Sequence, residues 1–379
     1  MSSEIKALPI IRTVNASLIP PTADTGHAQA LATLCGGALA SDSSGPQVLY
    51  PDRPVDPLST TRGWVSPIAD LGVLHIEGDD ALRFLQSQLT NDLEGLAENT
   101  WQLSGYCSAK GRLLASVMMW RASDGIRMVA SQPLLVGLRK RLSMFVLRAK
   151  VRISDESDRW FLFGIGGERA AETLRQLGAP SWPGPKDVIS FGDGYVLGCV
   201  PCRAPATADA AALAPIARGL LLVRVNDAAH PWGVLSAGLT PVSSTVWRWT
   251  EILAGLPRIV AAGVERFVPQ MVNLDLVDGV SFRKGCYPGQ EVVARSHYLG
   301  KLKRRMFLAQ VEGSAPEAGT DVLGPEGTEP CGEVVLSAPS PSGGASVLFE
   351  SQIAAADAAR LADGRALRRL DLPYELPGG

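Results

Sequence analysis

The chain has 379 residues, with 36 Lys and Arg against 38 Asp and Glu, so its formal net charge is -2. Hydrophobic residues make up 46% and charged residues 20%, which is typical of a globular protein with a sizeable core. The balanced charge removes the strongest argument for binding nucleic acid or an anionic membrane, because both need a basic surplus. No apolar run approaches the roughly 18 residues of a membrane span. We therefore expect no direct nucleic-acid partner and no membrane.

The cysteine content and the first residues indicate the compartment. Six cysteines are too few for a disulfide scaffold in a chain of this length. The N-terminus carries Glu4 and Lys6 and has no apolar signal core, and it lacks the Arg-rich, acid-poor character of a transit peptide. We expect a cytoplasmic protein with reduced thiols.

Residues 1–62 differ in composition from the rest of the chain. They are rich in Pro, Ser, Thr, Asp and Gly, and only Ala28–Leu34 could form a helix. Such a segment buries little apolar surface to offset its ordering entropy, so we expect a flexible N-terminal extension. The alternative is an added helix or strand held against the body.

The folded part is predicted to begin near residue 63. Leu71–Glu77 is typical of a strand, and a helix with an apolar stripe follows after Gly78 and ends near Asp92. Tyr106–Arg121 reads as a hairpin, and a further strand leads to Pro133, which opens a basic amphipathic helix.

A second block, roughly 150–235, alternates short strands with an Ala-rich helix, which favours an α+β fold over a parallel doubly wound sheet. A helix over Thr245–Leu253 follows, and its spacing predicts that one of Trp247 and Trp249 is buried while the other is at least partly exposed. Beyond Gly300, short strands broken by Gly and Pro suit a small β-barrel.

The densest group of chemically useful residues surrounds Cys286. Pro288 suits the first turn of a helix, so Cys286 would lie just before a helix N-terminus and beside Arg283 and Lys284. A positive helix end and neighbouring cations stabilise a thiolate, so we expect a reactive thiol. Glycines on either side of this polar segment argue against a role in core packing.

The remaining motifs give weaker evidence for a functional site. Cys199 and Cys202 have the spacing of a redox or metal motif, but they follow a strand and have no second Cys pair and no nearby His. The sequence has no phosphate-binding loop, no HExxH and no nucleophile elbow. We predict no metal site.

The segment Lys284-Gly285-Cys286-Tyr287-Pro288-Gly289-Gln290-Glu291 resembles the K-G-C-Y-x-G-Q-E signature of the YgfZ-type folate-binding proteins. That group is related to the aminomethyltransferase, or T-protein, of glycine cleavage. The resemblance continues through Gly255-Leu256-Pro257, through Gln88-Leu89-Thr90-Asn91-Asp92, and through the hairpin Ser108-Ala109-Lys110-Gly111-Arg112, where Ser108 replaces the usual Asp. It covers roughly residues 64–310.

The resemblance implies an α+β fold of three lobes in a clover-leaf around a central folate cavity. Two interleaved α+β domains would occupy residues 63–298, with the second subdomain at roughly 150–235, and a C-terminal β-barrel would occupy residues 299–379.

It also implies tetrahydrofolate or another reduced folate as cofactor. A pterin needs an apolar slot and carboxylate or amide partners, and its glutamate tail favours Arg or Lys. The candidates are Asp92, Gln270, Asn273 and Glu251 for the pterin edge, Arg283, Lys284 and Arg295 for the tail, and Tyr287, Gln290 and Glu291 as further members of the signature.

The function implied by the resemblance is that of an accessory protein for assembly or repair of iron–sulfur clusters in client enzymes such as tRNA-modifying radical enzymes, with Cys286 as its reactive group. The alternative is a folate-dependent aminomethyl- or methyltransferase like the T-protein. T-proteins carry an acidic catalytic residue shortly after the strand equivalent to Arg127–Val129, whereas this chain continues Ala130-Ser131-Gln132-Pro133. Without that carboxylate, proton transfer has no evident agent.

A third hypothesis makes Cys286 itself a transient cluster ligand. One thiolate cannot hold a cluster alone, since the usual ligation needs four. The expected partners are therefore folate and iron–sulfur client enzymes, and the chain is expected to be a monomer.

Overall fold

The structure is a computed structural model that describes residues 25–51, 62–203, 215–298, 302–327 and 329–377. Its helices are α1 Gly26–Cys35, α2 Ala81–Gln86, α3 Leu135–Met144, α4 Ala170–Gln176, α5 Ala229–Gly238, α6 Ser244–Leu253 and α7 Gln290–Tyr298. Its strands are β1 Ala38–Asp42, β2 Gly45–Leu49, β3 Trp64–Ile68, β4 Leu71–Glu77, β5 Trp101–Cys107, β6 Leu113–Ala122, β7 Gly125–Ser131, β8 Arg152–Asp155, β9 Trp160–Gly166, β10 Val188–Phe191, β11 Gly194–Cys202, β12 Ile216–Arg224, β13 Thr240–Pro241, β14 Arg304–Val311, β15 Asp321–Leu323, β16 Pro330–Pro339, β17 Ala345–Gln352, β18 Arg360–Leu361 and β19 Arg368–Leu370.

Three larger sheets organise these strands. The first has the spatial order β10-β11-β12-β9-β3-β13, the second β5-β6-β7-β4-β8, and the third β18-β15-β16-β17-β14-β19. Strand β3 precedes the second sheet in the chain but pairs with β9, which follows it, so the first two sheets are interleaved in sequence. The fold is mixed α+β, as the sequence predicts. The hydrogen-bonded order of the third sheet runs from β18 to β19 without closing on itself.

The first two sheets enclose an aromatic core. One cluster of buried side chains combines Trp64, Trp101, Trp120, Trp160 and Trp247 with aliphatic residues of both sheets. These tryptophans lie on strands and on α6, and their side chains supply much of the buried area of this cluster. The second sheet also packs through a separate cluster against α6 and one face of the third sheet.

Helix α6 is buried on every side. Trp247 belongs to the core between the first two sheets, while the indole nitrogen of Trp249 donates to Ser346 Oγ of the third sheet at 3.1 Å. The prediction that one of the two tryptophans is partly exposed is wrong, because α6 is covered by a different sheet on each side. Both side chains are buried.

The N-terminal segment differs from the expectation of a flexible extension over residues 1–62. Residues 25–51 form α1 and the hairpin β1–β2, and Ala28, Leu31 and Val48 share a buried cluster with Phe163 of β9. The expectation fails here because a short Ala/Leu helix and a hairpin together bury enough apolar surface on the first sheet. Residues 1–24 and 52–61 lie outside the described residues.

No helix in the described part of the chain is long and apolar enough to cross a membrane.

Candidate functional site

The loop that carries Cys286 is held in place by Lys284. Its Nζ donates to the main-chain oxygens of Gln86, Leu89 and Asn91 at 2.5, 2.6 and 3.0 Å. Two of these carbonyls lie beyond the C-terminus of α2, where carbonyl groups lack helical partners and attract a cation. Burial lowers the pKa of Lys284 to about 8. The ammonium group therefore ties the loop to the end of α2, and its three donors are all used.

The rest of the loop packs closely on the hairpin β5–β6. Tyr287 is buried, with Lys284 Nζ 5.3 Å from its ring centre. Gly289 has a φ of 79°, and a Cβ placed there would lie 2.5 Å from Ser108 O and 2.6 Å from Gly111 N. Only glycine fits this conformation and this close approach. The signature thus builds a rigid platform rather than a flexible loop.

Cys286 stands on this platform and faces solvent. All six cysteines lie in the described part of the chain; Cys286 is exposed and the other five are buried. Burial raises the pKa of Cys107 to about 12 and those of Cys199 and Cys202 to about 11, so these thiols stay protonated and unreactive. No atom of another part of the structure lies within 4 Å of a Cβ built on the neighbouring Gly285, which leaves room for a large partner.

Helix α7 begins at Gln290, two residues after Pro288. Arg283, Glu291 and Arg295 are exposed, and Gln290 is half-buried. The two arginines remain available to an anion, whereas Lys284 does not, because its donors are occupied by main-chain oxygens.

Three predicted pterin partners make hydrogen bonds within the protein. The Gln270 amide donates to Val293 O at 2.7 Å and fixes α7, and the Asn273 amide donates to Met306 O at 2.8 Å. Asp92 Oδ1 accepts from Gln86 Nε2 at 2.9 Å, close to the carbonyls that bind Lys284. In the described structure these three side chains do not line the cavity that contains Glu251.

Glu251 lines a small cavity between the first two sheets. The cavity has a volume of about 50 Å³ and contains no residue of the Cys286 loop or α7. It is lined by Leu71, Leu103, Ser116, Val117, Met118, Val129, Ala130, Ser131, Leu220, Trp247, Glu251, Leu256, Pro257 and Arg258. The candidate residues therefore fall into two places, an exposed thiol platform and a mostly apolar cavity with one charged wall.

The charged wall is part of a buried ion network. Asp70 Oδ2 accepts from Arg248 Nη2 at 2.8 Å and from Arg258 Nη2 at 2.9 Å, and the same Arg258 nitrogen is 3.2 Å from Glu251 Oε2. Burial alone raises the pKa of Asp70, but the two arginines outweigh it and hold that pKa below its usual value. For Glu251, burial dominates over the attraction of Arg258 and raises the pKa.

The network leaves polar atoms without hydrogen-bond partners at the cavity. Nε and Nη1 of Arg258 are buried without a hydrogen-bond partner in the described structure. Glu251 Oε2 is buried too; it is ion-paired with Arg258 Nη2 but accepts no hydrogen bond of good geometry. Unpaired buried donors and acceptors are rare in native proteins and call for a missing partner such as water or a ligand. Two donors without a partner therefore lie beside a mostly apolar cavity.

Sequence reasoning missed Arg258, Asp70 and Tyr374. Arg258 directly follows the Gly255-Leu256-Pro257 motif, and Asp70 is a lone carboxylate in an apolar run between β3 and β4, a pattern that signals a paired buried charge. Tyr374, whose hydroxyl donates to Gly255 O at 2.8 Å, lies near the C-terminus and has no comparable signal.

Comparisons with known proteins agree with the motifs. The tRNA-modifying proteins YgfZ of Yersinia pseudotuberculosis serotype O:1b and Yersinia pestis (strain Pestoides F) are each 28% identical over 254 residues, 67% of this chain and 73% of the relative. The glycine cleavage system aminomethyltransferase T of Bartonella henselae matches the structure with a TM-score of 0.73 at 15% identity, covering 90% of this chain and 96% of that one. No protein-family model matches the chain. The predicted resemblance is confirmed: the chain is similar in sequence to the YgfZ proteins and in fold to aminomethyltransferase T.

Proposed function

We propose that the chain is a tetrahydrofolate-binding accessory protein for assembly or repair of iron–sulfur clusters in client enzymes, including tRNA-modifying radical enzymes. The observation that carries the proposal is the cavity in which two buried nitrogens of Arg258 have no hydrogen-bond partner, beside the carboxylate of Glu251 and apolar walls. The curated YgfZ relatives are named tRNA-modifying proteins, which supports a client in that process.

The cavity residues fit a reduced folate in chemical character. Glu251 would accept from the amino and ring N–H groups of the pterin, Arg258 would donate to its carbonyl oxygen, and Trp247 with Met118 would form the apolar slot. Arg283 and Arg295 are the proposed partners of the glutamate tail. When bound, tetrahydrofolate supplies a carrier for one-carbon units.

The cavity must widen before a pterin can enter, since it has room for a few water molecules only. Leu256, Pro257 and Arg258 form one wall, and the C-terminal segment holds that wall through the hydrogen bond from Tyr374 to Gly255 O. We propose that this segment moves when folate binds.

Cys286 would act on the client. Its exposed thiol on a rigid base can reach a cluster or thiol at the surface of another protein without rearrangement of this chain. As a transient cluster ligand it would supply one thiolate, and the client would supply the others.

The arrangement of lobes also belongs to the proposal. It comprises a clover-leaf of the interleaved core at 63–298, with its second subdomain at roughly 150–235, and a barrel at 299–379. We further propose a monomer in the cytoplasm.

The aminomethyltransferase alternative receives less support. Among the described residues that line the cavity, Glu251 is the single carboxylate, and it is engaged with Arg258. The end of β7 contributes Ala130 and Ser131, and Ser131 Oγ donates to Ile259 O at 2.7 Å. A second carboxylate to carry a proton in aminomethyl transfer is not among these groups.

Folate binding is tested by calorimetric titration with tetrahydrofolate. We expect saturable binding that weakens about tenfold or more in Glu251→Gln, because a charged acceptor is replaced at a desolvated site. Glu168→Gln, an exposed change just before α4 and away from the candidate residues, is the matched control and should bind like the wild type. Absence of heat with the wild type, or equal loss in both variants, would contradict the proposal.

The role in cluster maintenance is tested in a deletion strain. We expect the wild-type gene and Cys331→Ser to restore cluster-dependent tRNA thiomethylation, and Cys286→Ser to fail. Cys331 is a fair control because its buried sulfur already contacts Ser351 Oγ at 3.4 Å, a contact that a serine can keep. A growth defect on glycine alone would favour the aminomethyltransferase instead.

A further inference from the structure

A basic and apolar surface lies on α3 and the turn that follows it. We call it the α3 patch, and it consists of Val136, Arg139, Lys140, Met144, Phe145, Leu147 and Arg148. Six large apolar side chains are exposed in the described residues, and four of them belong to this patch: Val136 at 46%, Met144 at 67%, Phe145 at 46% and Leu147 at 87%. Clustered exposure of this kind marks an interaction surface more often than single exposed residues do.

The patch concentrates positive charge in a chain that is otherwise balanced. Between Asp124 and Asp155 the sequence has no Asp or Glu, and six Arg and Lys residues fall within residues 135–152. Lys150 and Arg152 are paired with Asp79 and Glu77 at 3.1 and 3.0 Å. In the described structure, no carboxylate pairs with the three cations of the patch itself, which are exposed.

The backbone at the patch is strained. Leu147 has a φ of 47°, in the left-handed region that is unfavourable for a residue with a Cβ. The same residue is the most exposed of the large apolar side chains. A bulky apolar residue held in a strained conformation and turned to solvent points to selection for contact rather than for stability.

Helix α2 connects the patch to the thiol platform. Asp80 Oδ2, at the start of α2, accepts from Lys150 N at 2.8 Å, while the carbonyl of Gln86, at its end, accepts from Lys284. Six residues of helix span about 9 Å. The segment that carries the patch and the loop that carries Cys286 therefore meet opposite ends of one short helix.

We propose that the α3 patch is the docking surface for a protein partner that presents an acidic amphipathic segment. Carboxylates of the partner would pair with Arg139, Lys140 and Arg148, and its apolar side chains would cover Met144, Phe145 and Leu147. Charge complementarity would select the partner, and the flexible apolar side chains of the patch would adapt to the shape of its surface.

Two other occupants fit less well. Val136, Met144 and Leu147 offer nothing to a phosphate backbone, and base stacking would have one aromatic ring, Phe145, to use. An anionic membrane is recognised by clusters of about four to eight cations, whereas the patch has three that are free of ion pairs.

The test is fluorescence anisotropy with a labelled amphipathic helical peptide, Glu-rich on one face and Leu- and Phe-rich on the other, added to the full chain. We expect saturable binding that weakens with salt. It should weaken about tenfold or more in Arg139→Glu/Lys140→Glu and in Leu147→Asn, since each removes an anchor. The control Arg169→Glu/Arg175→Glu makes the same charge change at the residue before α4 and within α4, and should bind normally.

A second measurement separates lost docking from lost folding. Leu147→Asn should raise the melting temperature while it lowers affinity, because Asn tolerates the left-handed conformation. Cys286→Ser should bind the peptide like the wild type, so the result is independent of the proposed function. The proposal is overturned if the peptide does not bind, or if the control variant loses as much affinity as the patch variants. It is also overturned if these variants weaken binding to anionic vesicles or tRNA in place of binding to the peptide, or if the chain self-associates through Leu147.

Discussion

Replacing Lys284 with Met tests whether the thiol platform is held by its ammonium group. The change keeps the apolar stem and removes three hydrogen bonds, one to the buried carbonyl of Leu89 and two to the partly buried carbonyls of Gln86 and Asn91. An unpaired buried acceptor costs about 1–3 kcal/mol. Water can replace part of the other two contacts, and the ammonium no longer has to be buried. We expect a net loss of about 2 kcal/mol in the free energy of unfolding.

The assay combines urea denaturation with the alkylation rate of Cys286. Lys284→Met should lower the urea midpoint and change the alkylation rate, because the loop is no longer tied to the end of α2. Lys110→Met, an exposed change at the hairpin tip, should alter the free energy of unfolding by no more than about 0.5 kcal/mol. The reasoning is refuted if the two variants are equally stable and alkylate Cys286 at the same rate.

Three further predictions follow from single contacts. Gly289→Ala should destabilise the chain and disturb the platform, because residue 289 has a φ of 79° and its Cβ would lie 2.5 Å from a backbone oxygen. Gly285→Ala should be tolerated, and the urea midpoints of the two variants test the difference. Tyr374→Phe removes the hydrogen bond to Gly255 O, so stopped-flow measurements should show faster folate association. An unchanged rate would contradict the proposal that the C-terminal segment must move before folate enters. The pKa of Asp70 is held below 3.8 in the folded state, so the stability that its carboxylate contributes is present above that pH and lost as the pH falls through the lowered pKa. The difference in free energy of unfolding between the wild type and Asp70→Asn should therefore shrink in acid. A difference that stays constant with pH would contradict the ion network.

The sequence predicts local features of this molecule better than their assembly. Its signature indicates an exposed Cys286 before a helix, because glycine, proline and charge at fixed spacing act within a few residues. It does not reveal that Lys284 binds carbonyls near residue 89, since that contact joins segments 195 residues apart. For the same reason, the sequence does not reveal that the amides of Gln270 and Asn273 donate to the main-chain oxygens of Val293 and Met306.

The mixed fold is also predicted from the alternation of strands and helices, but the packing of residues 25–51 on the first sheet is not. Whether a short Ala/Leu helix is ordered depends on the surface that covers it, here β9 with Phe163, far along the chain. The burial of both Trp247 and Trp249 has the same origin, because a helical pattern cannot show that two different sheets cover one helix.

The interleaving of the first two sheets sets the order in which the chain can fold during synthesis. Trp64 of β3 pairs with Gly166 of β9, and Asp42 pairs with Arg248, 206 residues later. The five-stranded sheet can be finished while the six-stranded one still lacks most of its strands, and Asp70 has no cation until α6 leaves the ribosome. Such distant pairings slow folding and leave the early strand exposed. The aromatic core between the first two sheets, to which Trp247 of α6 belongs, can therefore close only after most of the chain has been synthesised.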